Sequence, residues 1–295
     1  MTNFPPVIRF EVAAACNLEC IHCPVGQGQH RSRKKYMDRN LFDKIVDEAK
    51  DEDVRAAILY HGGEPFLNKD IFYMIRECKS HIGFVKTISN GMLMDEDMMH
   101  EITSSGLDVI EFSLDGISPE QNDFIRKGCF YSEVVRNIRK LISLKIKNNS
   151  QLPEIWIANA QFFDPKNPDM KTPECLRTSF LGMESHISYK FTHIMQWHGF
   201  NLGSNYIAVK TPIHEVDECD ELMNVMTIKT DGEVALCCYD LIGQHIMGNI
   251  NNNNVVGIWN NERFSALREK FKKHEYPSFC TNCTVLRPGS HLISV

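Results

Sequence analysis

Six short apolar runs, at residues 7–12, 56–60, 84–89, 108–114, 154–158 and 187–192, alternate with segments whose apolar residues recur at helical spacing. That alternation limits the fold more than any other feature. Successive strand and helix units call for parallel strands joined by right-handed crossovers. Helices are expected over 38–50, with Asp38 as N-cap, then 68–80, 95–105, 132–147 and 173–181. Gly106 closes the third of these, and Pro119 opens further helical turns. Six units are too few for a closed eight-stranded barrel, so the expected fold class is α/β with a partial (β/α)6 barrel.

The first strand runs into Cys16-Asn-Leu-Glu-Cys20-Ile-His-Cys23, three thiols within eight residues spaced Cys-x3-Cys-x2-Cys. Three thiolates can hold three irons of a 4Fe-4S cubane and leave the fourth open. A structural zinc site wants four ligands, usually in two pairs, and fits this loop less well. The other strands also end in small or polar residues: Gly62-Gly63-Glu64-Pro65, Ser89-Asn90-Gly91, Ser113-Leu-Asp115 and Asn159-Ala-Gln161. In barrels of this kind the C-terminal strand ends carry the active site. Gly62 and Gly63 let backbone approach a ligand where a Cβ would obstruct it.

Composition narrows the function classes. A net charge of -6 supplies no basic field for non-specific binding to nucleic acid or an anionic membrane. No apolar run is long enough to span a bilayer, and the first residues lack a signal peptide's charged and apolar regions, so a cytoplasmic location is expected. Eleven cysteines in 295 residues, two groups of them tightly clustered, read as metal ligands rather than a disulfide framework.

The alternation stops after Trp197, which puts the expected domain boundary near residue 200, with a barrel at 1–200 and a smaller unit at 201–295. Asp231-Gly232 between two alternating runs predicts a β-hairpin, and a helix is expected over 262–273. Cys219, Cys237, Cys238, Cys280 and Cys283 lie in this part. Adjacent residues of a strand face opposite ways, so Cys237 and Cys238 are not both expected to face one cluster.

These motifs resemble those of the radical S-adenosylmethionine (SAM) enzymes. The resemblance rests on Cys16, Cys20, His22 and Cys23, on the intact Gly62-Gly63-Glu64-Pro65, and on Ser113-x-Asp115-Gly116. It implies a 4Fe-4S cluster on Cys16, Cys20 and Cys23 whose open iron chelates SAM. His22, Gly62, Gly63, Glu64, Pro65, Ser89, Asn90, Ser113, Asp115 and Arg126 are then expected to line the cofactor site. The C-terminal part resembles the SPASM or twitch extension, which implies an auxiliary 4Fe-4S cluster on Cys219, Cys237, Cys280 and Cys283. The register set by Val234 favours Cys237 as the ligand and leaves Cys238 spare.

By the same resemblance the chain cleaves SAM reductively to a 5′-deoxyadenosyl radical, which removes a hydrogen atom from substrate. Dehydrogenation follows if the auxiliary cluster takes the remaining electron, and epimerisation if a thiol, Cys238 or Cys129, returns hydrogen. Cys78 and Cys175 are expected in the core. Only about fifteen residues precede Cys16, where peptide-modifying relatives usually carry a recognition domain. A sugar or aminocyclitol substrate is therefore expected, as in the butirosin-pathway aminocyclitol dehydrogenase and the aminoglycoside epimerases. Asn159, Gln161, Lys190, His193, Gln196 and His198 are available to bind hydroxyls and amines, and a flavodoxin- or ferredoxin-type protein is the expected reductant. Peptide maturation is the alternative reading, and a non-enzymatic zinc or iron-sulfur electron carrier the alternative of another class.

Overall fold

The computed structural model describes residues 3–163, 170, 172–194, 196–201, 203, 206–288 and 291–294. Six strands lie side by side in chain order: β1 (Val7–Phe10), β2 (Ala56–Ile58), β3 (Phe84–Ser89), β4 (Val109–Ser113), β5 (Glu154–Gln161) and β6 (Ile187–His193). Every neighbouring pair is parallel. The connecting helices are α1 (Arg39–Ala49), α2 (Ile71–His81), α3 (Glu96–Ser104), α4 (Pro119–Ile125), α5 (Tyr131–Lys147) and α6 (Glu174–Ser179). This is the expected α/β architecture, an open sheet of six parallel strands.

The local signals acted as their chemistry requires. Asp38 and Asp95 cap α1 and α3 by accepting from the backbone amides of Leu41 and Met98. Gly106 takes φ +84° behind α3, a conformation other residues adopt only with strain. The core forms where helix stripes meet the sheet: Ile8 and Phe10 against Phe42 and Ile45, and Ile110 and Phe112 beside Val134, Ile138 and Leu141. Each such side chain contributes about 1.5–3 kcal/mol by leaving water. Cys78 belongs to this core, and Cys175 packs against its edge. Cys175 is only partly buried on α6, where its thiol donates to the Ile117 carbonyl at 3.5 Å. The short α6 stands at the periphery and has only Leu176 to bury.

The C-terminal part comprises β7 (Tyr206–Val209), α7 (Asp220–Asn224), β8 (Val225–Ile228), β9 (Glu233–Ala235), β10 (Ile246–Asn249), α8 (Val255–Trp259), α9 (Glu262–Lys272) and β11 (His291–Ser294). The Asp231-Gly232 turn joins β8 to β9 as an antiparallel hairpin, with Gly232 at φ +85°. Strand β8 also pairs in parallel with β1, giving one sheet of nine strands in the order β10-β9-β8-β1-β2-β3-β4-β5-β6. The hairpin thus extends the barrel sheet on its β1 edge. On α9, Arg268 is buried over the Trp259 ring and donates to the carbonyls of Trp259 and Leu222. Strands β7 and β11 pair separately, and Leu292 of β11 packs on Ile194 and Ile125 beside Ile21. A strand from the chain's end therefore lies against the cysteine loop.

Candidate active site and cysteine clusters

Because β1 to β6 and β8 are parallel, the segments following them emerge on one edge of the sheet. The Cys16 to Cys23 loop follows β1. Its thiols interact electrostatically with one another and with Arg126. Burial pushes all three up, Cys20 to about 12, while the Arg126 guanidinium pulls each down. Arg126 caps the end of α4, buried rather than solvated, and donates to Asp115 Oδ2 at 2.8 Å. Burial alone would lower its pKa; the surrounding thiols and Asp115 outweigh that and raise it. Asp115 is held in turn by the Ala160 amide, and His22 Nε2 stands 3.8 Å from its Oδ2. Arg126 Nε and His22 Nδ1 are buried with no hydrogen-bond partner among the described residues.

Gly63 shows why glycine is required after β2. It has φ +68°, and a Cβ there would lie 2.4 Å from the Ala13 carbonyl oxygen and 2.5 Å from that of Ala15. Glu64 is fully enclosed and accepts from the Asn90 amide at 2.7 Å, the Phe66 amide at 3.2 Å and Ser89 Oγ at 3.0 Å. Burial pushes its carboxyl up to about 7 against these hydrogen bonds. Ser89 thereby serves Glu64 and also accepts from the Gly91 amide. The Asn90 side chain reaches the loop, donating to Asn17 Oδ1 at 2.8 Å and lying 3.9 Å from Cys16 Sγ. Pro65 starts the 3-10 turn that Glu64 caps, and the half-buried side chain of Ser113, at the end of β4, makes no hydrogen bond among the described residues.

Asn17 gave no signal in the sequence. Neither did Asn122, buried on α4 and accepting from the Asp115 amide at 2.9 Å. Glu11, His61 and Lys229, which join the ends of β1, β2 and β8, were also missed. A charge directly after an apolar strand, as at Glu11 and Lys229, was the available cue.

In the C-terminal part, Cys219 and Cys237 line an apolar pocket with Cys280, Leu236 and Phe279. Cys283 interacts electrostatically with Cys219, Cys237 and Cys280. Strand β9 ends at Ala235, so strand alternation does not separate Cys237 from Cys238. Cys238 interacts with Glu221 and Arg9 and also with Cys237 and Cys283, and burial pushes its thiol up to about 12. Arg9 and Glu221 form a bidentate pair, with Nη to Oε distances of 2.6 and 2.8 Å. Cys129 is buried beside Asn122 and Arg126, away from this group.

A family model of the radical SAM superfamily matches residues 10–153, and a model of the SPASM iron-sulfur cluster-binding domain matches residues 219–284. The chain belongs to the radical SAM superfamily. Radical SAM membership brings a SAM-binding 4Fe-4S cluster, and the SPASM domain an auxiliary one. The first cofactor fits what surrounds the loop: three electrostatically interacting thiols, buried cationic and imidazole nitrogens with no hydrogen-bond partner among the described residues, and a backbone cradle that a Cβ would fill.

Among curated relatives of this radical SAM chain is the tungsten-containing aldehyde ferredoxin oxidoreductase cofactor-modifying protein of Pyrococcus furiosus. It is 27% identical over 94% of this chain and 87% of its own. GTP 3′,8-cyclase of Desulforamulus reducens is 30% identical, but over only 47% of this chain and 43% of that protein. The solved structure of BtrN with AdoMet and 2-DOIA covers 96% of this chain and 94% of its own at 17% identity, with a TM-score of 0.61. SuiB of Streptococcus suis, bound to precursor peptide SuiA, covers 96% and 70% at 14% identity and a TM-score of 0.58. No helix among the described residues is long and apolar enough to cross a membrane.

Proposed function

We propose that the chain dehydrogenates a hydroxyl-bearing small molecule of sugar or aminocyclitol type. In this reading Cys16, Cys20 and Cys23 hold the SAM-binding cluster, and Cys219, Cys237, Cys280 and Cys283 the auxiliary one. The observation that carries it is a cavity of about 190 Å³ lined by Gln196, Trp197, His198, Tyr239, Asn282 and Thr284. It lies between the segment that leaves β6 and the Cys280 to Cys283 turn. Its size is below that of ordinary drug-sized pockets, and its polar lining suits hydroxyls better than an extended peptide. The BtrN structure, matched over 94% of its own length, supports the same reading.

When bound, the clusters and SAM supply hydrogen-atom abstraction and an electron sink. Converting CH–OH to C=O also releases a proton from oxygen, and that proton falls to the protein. His198 and His245 stand with their Nε2 atoms 3.1 Å apart, His245 stacked on Phe279. Whichever neutral ring donates across this contact keeps a lone pair on its own outer Nδ1, so the pair always presents one acceptor. Burial, with His245 alongside, holds His198 below the usual imidazole range and therefore neutral near pH 7. Cys238 is engaged by Glu221 and Arg9, and Cys129 is buried beside Arg126, which favours dehydrogenation over a thiol-dependent epimerisation.

Anaerobic reconstitution, followed by SAM, dithionite and candidate aminocyclitols in deuterated water, tests this. A product lighter by two hydrogens, with 5′-deoxyadenosine formed alongside, is expected. Solvent deuterium on product carbon would replace dehydrogenation by epimerisation. The SuiB likeness makes a peptide substrate the second reading, in which aminocyclitols would give no product.

A further inference from the structure

The chain has no acidic residue between Glu19 and Asp38, and within that interval Arg31, Arg33, Lys34 and Lys35 put four cations into five positions. Elsewhere acids prevail, since the whole chain has 38 Asp and Glu against 32 Lys and Arg. All four cations are exposed. Lys34 pairs with Asp38 at the surface, and Arg31, Arg33 and Lys35 have no ion-pair partner among the described residues.

The backbone beneath them is fastened on both sides. The Lys35 carbonyl accepts from the Ala14 amide at 2.7 Å, two residues before Cys16. Earlier in the same segment, Gln27 Nε2 donates to the Cys20 carbonyl. Toward the C-terminal hairpin, the Lys34 carbonyl accepts from Thr230 Oγ1, the Arg33 amide donates to Asp231 Oδ2, and the Arg31 amide donates to the Ile242 carbonyl. Ser32 Oγ reaches inward to Glu11 Oε2 at 2.8 Å. The segment is a pinned strap, polar beneath and cationic outside, touching the loop that carries Cys16 and Cys20.

We propose that this strap is the docking face for an acidic one-electron carrier protein of flavodoxin or ferredoxin class, which delivers its electron through the adjacent cysteine loop. The inference rests on radical SAM membership and assigns the place where the reductant sits. The exchange is of one electron, so the carrier is oxidised by one and the cluster reduced by one, with no proton moved. Complementary charge steers such encounters and orients the partner, and a fixed backbone spares the entropy of ordering a loop. A second cationic face, formed by Arg136, Arg139, Lys140 and Lys147 around a groove of about 760 Å³ on α5, lacks this position. Its bonds run to Glu133 and Ser179 rather than to the cysteine loop, and electron tunnelling falls steeply with distance.

Binding of oxidised flavodoxin to the reconstituted protein decides between the two faces. The reversal R31E/R33E/K34E/K35E and the neutral R31A/R33A/K35A are compared with wild type and with R136E/R139E/K140E, each checked for native circular dichroism and melting. At low salt the strap reversal is expected to weaken binding at least tenfold and the neutral variant less. Wild-type affinity is expected to fall as salt rises to about 0.3 M, while the α5 variant matches wild type. Wild-type affinity in both strap variants, or a loss confined to the α5 variant, overturns the assignment. So does a strap that binds acidic peptide or polynucleotide but not flavodoxin. Dithionite bypasses the carrier, so 5′-deoxyadenosine formed with dithionite should be unchanged in every strap variant. Its absence in wild type would speak against the SAM chemistry, with the binding result still deciding the docking face.

Discussion

The Lys229 ammonium lies 3.2 Å from Glu11 Oε1, and both side chains are sealed from solvent although 218 residues separate them. Glu11 also accepts from Ser32 Oγ and the Thr230 amide, and His61 Nδ1 stands 3.6 Å away. This network fastens the hairpin to the strand that leads into the cysteine loop. Glu11→Gln strands a buried cation and should cost about 3–5 kcal/mol in urea unfolding. The double variant E11L/K229M should recover much of that loss, and failure to do so would show that the pair does more than neutralise itself.

The same carboxylate sets an acid limit. Burial pushes Glu11 up, but His61 and Lys229 outweigh it and leave its pKa at about 2. A depressed folded-state value means this stabilisation is complete above the unfolded value near 4.5 and drains away as pH falls toward 2. Unfolding free energies measured from pH 5 to pH 2.5 should therefore fall less steeply in E11Q than in wild type.

Iron content separates the two cysteine groups. Two cubanes give about eight irons per chain, so the Cys16, Cys20 and Cys23 triple alanine variant should retain about four. Cys237→Ala should likewise lose about four, whereas Cys238→Ala should keep the full complement, since Cys237 lines the pocket with Cys219 and Cys280 and Cys238 does not. Iron assay with electron paramagnetic resonance of the reduced protein checks each. A Cys238→Ala protein with half the iron would reverse the choice of ligand.

Gly63→Ala places a methyl group against two backbone oxygens in a left-handed conformation. The expected loss is at least about 2 kcal/mol of stability, together with weaker SAM binding in equilibrium dialysis. Gly28, also at positive φ but with nothing within 4 Å of an added Cβ, should lose only the conformational part when changed to alanine.

Arg126→Lys tests whether the buried fork is needed. A lysine keeps the charge but not the planar donors that meet Asp115, so SAM affinity should drop at least tenfold even where iron content is unchanged. Unaltered affinity would make Arg126 only a tether for α4.

The parts legible in the sequence were those set by local chemistry. Asp38, Asp95, Gly106 and Asp231-Gly232 each act within a few residues of themselves, and the six apolar runs carry their own periodicity. The Cys16 to Cys23 and Gly62 to Pro65 motifs were likewise written contiguously. What pattern reading missed was distant partnership. Nothing near Val225 announces that β8 will pair in parallel with β1, and nothing beside Glu11 announces Lys229. Glu64 illustrates the subtler case. Its motif was plain, but its role as acceptor for Asn90, Phe66 and Ser89 needed the turns to be placed in space. Cys175 falls in a helix and packs against the core, yet a six-residue helix buries too little to enclose it.

The pairing of β1 with β8 also sets an order of events during synthesis. Strand β1 is made well before the partner on one of its sides, which is complete only when residues 225–228 leave the ribosome. Until then the N-terminal strand presents an unpaired edge, and unpaired edges are where nascent chains join one another. A nascent chain stalled before residue 225 would expose that edge for as long as the stall lasts, so slow translation of the middle of the message should raise aggregation without changing one amino acid.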